Sequence, residues 1–322
     1  MARTRIESVD IVRGFAVLWM VLFQTLDFFS KDFQLYGSVW HGFLDFVNWL
    51  PLFMFVSGVS VWLMVDRRLS LGFSKWKILA HGLKRYGYYI FLSFLLCLWV
   101  FNLQIFLNLN EIVIAIGVYA FITLCLLLAV FSREWVFVPL MFLVYGLSFW
   151  FRDSLRFQYY PFYWILPFFF MGALSAKLIL KQEHKRLEIF EFLLIATLAI
   201  LVLLSDSFRY VDKTLGFVIL NAFLIIVMFY AISKIEDKGI LRVFSFAGRN
   251  ALFFYLFHYA VWAKLAASLG IWQALDWPIS ILVTCPGVAL IFSLAYLESK
   301  FLHHIRKKLR YTHKMESKSR IK

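Results

Sequence analysis

Long apolar blocks alternate with short polar breaks along this chain, and the first block, Ser8 to Phe28, reads SVDIVRGFAVLWMVLFQTLDF. At 3.6 residues per turn, Asp10, Arg13, Gln24 and Asp27 fall within an arc of roughly 100° on one helical face, with Val17 and Met20 between them. The other faces are apolar. Ionisable groups in a helix long enough to cross a bilayer are costly unless they face a bundle interior, a partner or water. This pattern predicts a first helix that lines a polar path through a membrane bundle.

A hydrocarbon core about 30 Å thick takes about 20 residues per helix. Apolar blocks predict spans centred on residues 10–29, 43–65, 83–102, 112–131, 135–151, 162–180, 189–205, 214–233, 247–267 and 277–297. The expected fold is all-α, a polytopic transmembrane helix bundle of about ten spans. The blocks are continuously apolar, which excludes the alternating strands of an outer-membrane barrel. Lys31, Arg152, Arg156, Arg209, Lys213 and Lys264 fall on one side of this arrangement, and the rest of the 33 Lys and Arg fall on the other. Cytoplasmic loops are the basic ones, so the N- and C-termini are both expected in the cytoplasm.

Composition agrees with the pattern. Hydrophobic residues make up 62% of the 322 and charged residues 16%, far from soluble usage. The net charge of +14 invites a nucleic-acid reading, yet the basic residues lie beside apolar spans without a stacking motif, so no nucleic acid is expected. The basic tail, residues 298–322, is expected to lie against anionic headgroups. Gln24 and Asp27 interrupt the first block and no small-residue cleavage pattern follows, so it is expected to be retained. Cys97, Cys125 and Cys285 lie in apolar blocks and read as small buried hydrophobes, with neither disulfide nor metal implied. No linker or repeat divides the chain, which is read as a single membrane domain over residues 1–322.

Candidate chemistry is concentrated at few positions. His41, Asp45 and Asn48 share one helix face at i, i+4, i+7, beginning beside Trp40 at the outer interface. A carboxylate there can orient the imidazole, and the imidazole can take a proton from an amine or hydroxyl; an interfacial histidine with a polar neighbour is the structural alternative. His258 lies nine residues past Arg249, roughly 14 Å deeper, and needs a partner such as Tyr255, Asn221 or the first helix. Arg13 pairs most simply with Asp10 one turn earlier, and Lys84 and Arg85 read most simply as snorkelling side chains. Ser57, Gly58 and Ser60, and Gly172 with Ala173, mark close helix contacts. No P-loop, dinucleotide fingerprint, HExxH, paired CxxC or nucleophile elbow is present.

RIESVDIVRGFAVLWM (Arg5 to Met20), LPLFMFVSGVSVWL (Leu50 to Leu63), PFYWILPFFFMGAL (Pro161 to Leu174) and GRNALFFYLFH (Gly248 to His258) resemble, in that order, the heparan-α-glucosaminide N-acetyltransferase family and its prokaryotic relatives. The resemblance implies a multi-pass membrane enzyme, for which the plasma membrane is the default location. Such an enzyme takes an acetyl group from cytosolic acetyl-CoA and delivers it to an amino sugar, glycan or glycolipid on the opposite side. The implied site has His41 as base, Asp45 as its orienter, and His258 and Asp27 as supporting polar groups, with Arg13, Lys84, Arg85 and Arg249 at a basic mouth for the CoA phosphates.

Two departures qualify that expectation. The family's histidine before the second helix aligns near Gly37, one turn from His41. Prokaryotic relatives often carry a histidine at the end of the first helix, where this chain has Gln24. Glutamine cannot serve as a general base near neutral pH. The alternatives are therefore an acyltransferase in which His41 substitutes, or an inactive member acting as a transporter or structural membrane protein. A homodimer is compatible with either.

Overall fold

Backbone groups in apolar surroundings must be satisfied within their own segment, and among the described residues every regular element is helical. The computed structural model describes residues 7–31, 49–106, 168–176, 215–235, 241–271 and 273–319, together with positions 130, 136, 139, 143 and 239. Helix α1 (Glu7–Phe29) opens with Glu7 and Asp10 in its first turn, where carboxylates meet the positive end of the helix dipole. Helix α2 (Trp49–Ser70) tolerates Pro51 because the first turn needs no intrahelical N–H there. It ends with Arg67 and Arg68 in its last turn and Gly72 at φ +78°. Phe73 N–H donates to Arg68 C=O at 3.0 Å and Gly72 N–H to Leu69 C=O at 2.9 Å, the paired bonds of a Schellman stop. Ser74 then starts α3 (Lys75–Phe106), its Oγ accepting from Lys77 N–H at 3.4 Å. This basic turn is one of those the charge pattern assigns to the cytoplasm.

The remaining described helices are the segment 168–176, α4 (Leu215–Lys234), α5 (Leu241–Arg249), α6 (Ala251–Phe257), a π-helical turn (His258–Ala263), α7 (Lys264–Ser268) and α8 (Trp277–Ser319). The sequence predicts one span over 247–267; the structure has a rod over residues 241–268 that is broken at Asn250 and widened at the π turn. The break has a local cause. Asn250 Nδ2 donates to Phe246 C=O at 3.0 Å, and Asn250 N–H is shared between Phe246 and Ala247 carbonyls at 3.2 and 3.1 Å.

Two glycine crossings set the packing. A Cβ on Gly14 would overlap Phe244 C=O, and one on Gly248 would overlap Asp10 C=O and lie 2.8 Å from Gly14 N. The same holds where Gly58 faces Phe169 C=O and Gly172 faces Phe55 C=O. Helices at such crossings touch backbone to backbone. The second crossing joins the positions that the small residues of the sequence mark as contacts. Helix α8 runs antiparallel to the rod: Phe246 meets Tyr296, Phe254 meets Phe292 at 4.8 Å between centroids, and Trp262 rests on Gly287.

Beyond Ser268 the chain returns to close the end of α1. Gln273 N–H donates to Phe28 C=O at 2.9 Å, Leu275 N–H to Phe29 C=O at 2.8 Å, and Lys31 N–H to Leu275 C=O at 3.0 Å. Carbonyls that a helix end leaves unpaired thus gain partners without solvent. Lys31 Nζ and Asp276 add an exposed ion pair at 2.6 Å, which contributes at most about 1 kcal/mol.

Two helices among the described residues are long and apolar enough to cross a bilayer, Glu7–Leu26 and Pro278–Phe301. Helix α8 turns Leu282, Leu297 and Phe301 outward, with 60–71% of each exposed, as a lipid-facing surface requires. Cys285 is also exposed there, which corrects its reading as a buried hydrophobe: it occupies the outer stripe of α8. The basic tail is helical as far as Ser319. It continues α8 without interruption to Ser319, in keeping with the helix propensity of its Lys, Arg, Leu and Glu. The predicted spans at 112–131, 135–151 and 189–205 lie outside the described residues, apart from the isolated positions.

Gly14→Ala and Gly58→Ala should each lower the stability of the detergent-solubilised protein by about 1–3 kcal/mol, since backbone cannot rotate away from an added methyl. Ser293→Ala, on the exposed face of α8, should stay within about 0.5 kcal/mol. Thermal unfolding of the purified variants checks the contrast.

Candidate functional site

The polar face of α1 turns inward, onto the rod. Gly14 lies against Gly248, and ten residues further along each helix Gln24 meets His258. Equal spacing means that the two helices run parallel and in register, so the glycine crossing determines which residues meet about 15 Å deeper. At the glycine level Asp10 is 3% exposed, and Arg13 Nη1 donates to its Oδ1 at 2.9 Å and to Gly248 C=O at 3.4 Å. Arg13 Nη2 donates to Ser60 Oγ at 2.5 Å, and Ser60 in turn donates to Val56 C=O at 2.6 Å. The ion pair expected from the sequence is present. One guanidinium thereby ties α1, α2 and α5 together, with its planar fork serving three acceptors in different directions.

At the deeper level His258 is fully buried. Its Nδ1 lies 3.0 Å from Phe254 C=O and its Nε2 lies 2.7 Å from Gln24 Oε1. A carbonyl can only accept, so Nδ1 carries a proton. The lone pair of a neutral ring then faces Gln24, whose NH₂ supplies the donor when the amide is turned that way; amide orientation follows the hydrogen-bond network. Phe28 stacks on the imidazole at 6.2 Å and Tyr255 approaches edge-on at 5.8 Å. The ring is therefore held in one tautomer and one plane. Of the partners the sequence allows for His258, the first helix supplies the one at Nε2.

The other site residues are dispersed. Arg249 is exposed beside the glycine crossing, its Nε donating to Ser245 C=O at 3.3 Å, and Lys84 and Arg85 are exposed on α3. His81, one turn before Arg85, has its pKa lowered from 6.5 by partial desolvation and then by Arg68, Arg85 and Lys84. His41, Asp45 and Asn48 lie outside the described residues, as does the side chain of Asp27. Sequence reasoning missed Ser60 as a partner of Arg13 and Gln24 as the partner of His258. A signal existed for the second: glycine precedes the polar residue by ten positions in both helices.

Residues 6–296 match the Acyltransferase domain family, and the chain belongs to it. That match runs from the start of α1 into α8, over nearly the whole chain, and identifies an integral membrane acyltransferase fold. No curated protein sequence matches the chain significantly.

Two outcomes follow from the site. Gln24→Leu leaves a buried imidazole nitrogen without its partner and should cost about 1–3 kcal/mol in thermal unfolding. His81 gives a pH dependence of definite sign. Its folded pKa lies below the unfolded 6.5, so the unfolded chain binds the proton more readily and stability falls as pH drops below about 6.5. His81→Asn should reduce that acid sensitivity in melts recorded from pH 7.5 to 5.

Proposed function

We propose that this protein is an acyl-CoA-dependent membrane acyltransferase that carries an acetyl or other acyl group from the cytoplasmic side to a glycan or glycolipid acceptor, such as an amino sugar, on the opposite side. The reading rests on a single arrangement: a basic level around Arg13, and about 15 Å deeper on the same helix face an imidazole clamped by Gln24 and a backbone carbonyl. The exposed cations Arg249, Lys84 and Arg85 suit the phosphates of CoA, which charge-assisted hydrogen bonds recognise. Arg13 is already engaged with Asp10, Ser60 and Gly248 and would contribute mainly its charge.

In this reading His41, oriented by Asp45, takes the proton from the acceptor amine or hydroxyl at the outer surface. His258 and Asp27 support the polar path between donor and acceptor. Gln24 favours a second reading. It occupies the first-helix position where the prokaryotic relatives suggested by resemblance often carry histidine, and an amide cannot take a proton. The alternative is a family member that has lost transfer chemistry and uses the polar face of α1 as a ligand pathway or as a structural tie.

Purified full-length protein should transfer radiolabel from acetyl-CoA to at least one acceptor in a panel of glucosamine-type glycans and glycolipids. His41→Ala should lower kcat by at least about 10²-fold, the usual contribution of a general base. CoA at about 100 times its Kd should stabilise the fold by about 2.7 kcal/mol. Neither transfer nor a CoA-dependent shift in folded protein would leave the second reading in its place.

A further inference from the structure

Between residues 61 and 106 the chain carries six Lys and Arg against one acid, Asp66. On α3 these cations open a longer pattern. Lys77, His81, Lys84, Tyr88, Phe91 and Leu95 follow at i, i+4, i+7, i+11, i+14 and i+18, which at 3.6 residues per turn keeps all six within an arc of about 80°. All six are exposed, Tyr88 by 57%, Phe91 by 56% and Leu95 by 43%, and exposed Arg85 flanks them. The stripe therefore faces away from the protein core. Its character changes once: it is basic before Tyr88 and apolar after it.

An exposed stripe that met only water would be polar throughout, and one that met only hydrocarbon would carry no cations. Tyrosine, with an apolar ring and a polar tip, belongs at the boundary between the two. Helix α8 repeats the order: Leu290 and Tyr296 are exposed, and Lys300 Nζ, one turn nearer the basic tail, sits 4.7 Å over the Tyr296 ring. Side chains lean toward the N-terminus of their helix, so those of α3 lean toward the basic turn. Lys84 and Arg85 reach toward that end while Phe91 and Leu95 stay at depth. Arg68, from the end of α2, adds to the same field: partial desolvation first, and then Arg68, Arg85 and Lys84, hold the His81 pKa below 6.5.

We infer that this stripe binds one anionic phospholipid of the cytoplasmic leaflet, its phosphate against His81, Lys84 and Arg85 and an acyl chain along Tyr88, Phe91 and Leu95. From Lys84 to Leu95 the helix rises about 16 Å, close to half of a hydrocarbon core about 30 Å thick and thus to the depth of one leaflet. Lysine and arginine meet the phosphate through charge-assisted bonds, and the imidazole has an N–H to donate in either protonation state. A zwitterionic headgroup brings its own cation against the cluster, so the site favours a lipid of net negative charge. Lys84 and Arg85 suit a CoA phosphate as well. What assigns them to lipid is the apolar continuation of the same stripe, which a soluble nucleotide would leave uncovered. The assignment does not depend on transfer activity.

Native mass spectrometry of the full-length protein in mild detergent, titrated with dioleoyl phosphatidylglycerol or dioleoyl phosphatidylcholine, tests this. The unaltered protein should retain one phosphatidylglycerol at concentrations that leave no phosphatidylcholine bound, and excess CoA should not displace it. Lys84→Gln with Arg85→Gln should weaken phosphatidylglycerol binding about 30-fold, the headgroup attraction of two basic residues. Arg242→Gln with Arg249→Gln removes the same charge from exposed positions on α5 and should leave that binding unchanged. Equal binding of the two lipids overturns the proposal, as does an equal loss in the α5 variant, which would make the attraction diffuse. Displacement by CoA hands the cations to a nucleotide and overturns it too. Where the α3 variant does not fold, lipid preference and CoA competition in the unaltered protein decide.

Discussion

Contact between two glycines, Gly14 and Gly248, governs much of what the described part of the molecule does. Backbones that touch cannot slide past one another without clashing, so the crossing fixes both separation and register of α1 and the rod that follows Leu241. From that register come the position of Arg13 against the Gly248 carbonyl and the meeting of Gln24 with His258. Lipid offers little hydrophobic drive for helices to associate, so close packing of small residues and a few polar bonds must supply it. The Gly58 and Gly172 crossing applies the same device to α2 and segment 168–176.

Polar groups on α1 are thus used at two levels with different logic. Near its start a guanidinium with several donors joins three helices, and its charge is compensated by a carboxylate one turn away. Deeper, a neutral amide and an imidazole satisfy each other where an isolated charge would be far more costly. The helix keeps both pairs on one face because sixteen or so ångströms of rise between Arg13 and Gln24 correspond to about three turns. The return of the chain at Gln273 and Leu275 seals the far end, giving the last carbonyls of α1 partners away from water.

Membership of the acyltransferase family gives this arrangement its functional setting. Gln24 holds His258 in place and takes up no proton itself, because a side-chain amide is not a base near neutral pH. Whatever proton acceptor the protein uses, the buried His258 is presented with both nitrogens engaged.

Much of this was legible in the residue pattern. Apolar block lengths determine helices and their approximate ends, as at 214–233 against Leu215–Lys234, because backbone in lipid has few alternatives. The inward stripe of α1 and the Arg13–Asp10 pair follow from spacing within one helix. Tertiary structure alone decided which helices lie side by side. It chose Gln24 as the partner of His258 and Ser60 as that of Arg13, broke the rod at Asn250, widened it at the π turn, and turned Cys285 outward on α8. Periodicity records which face of a helix is polar; it carries no information about what that face meets, because that depends on where two distant backbones are allowed to touch.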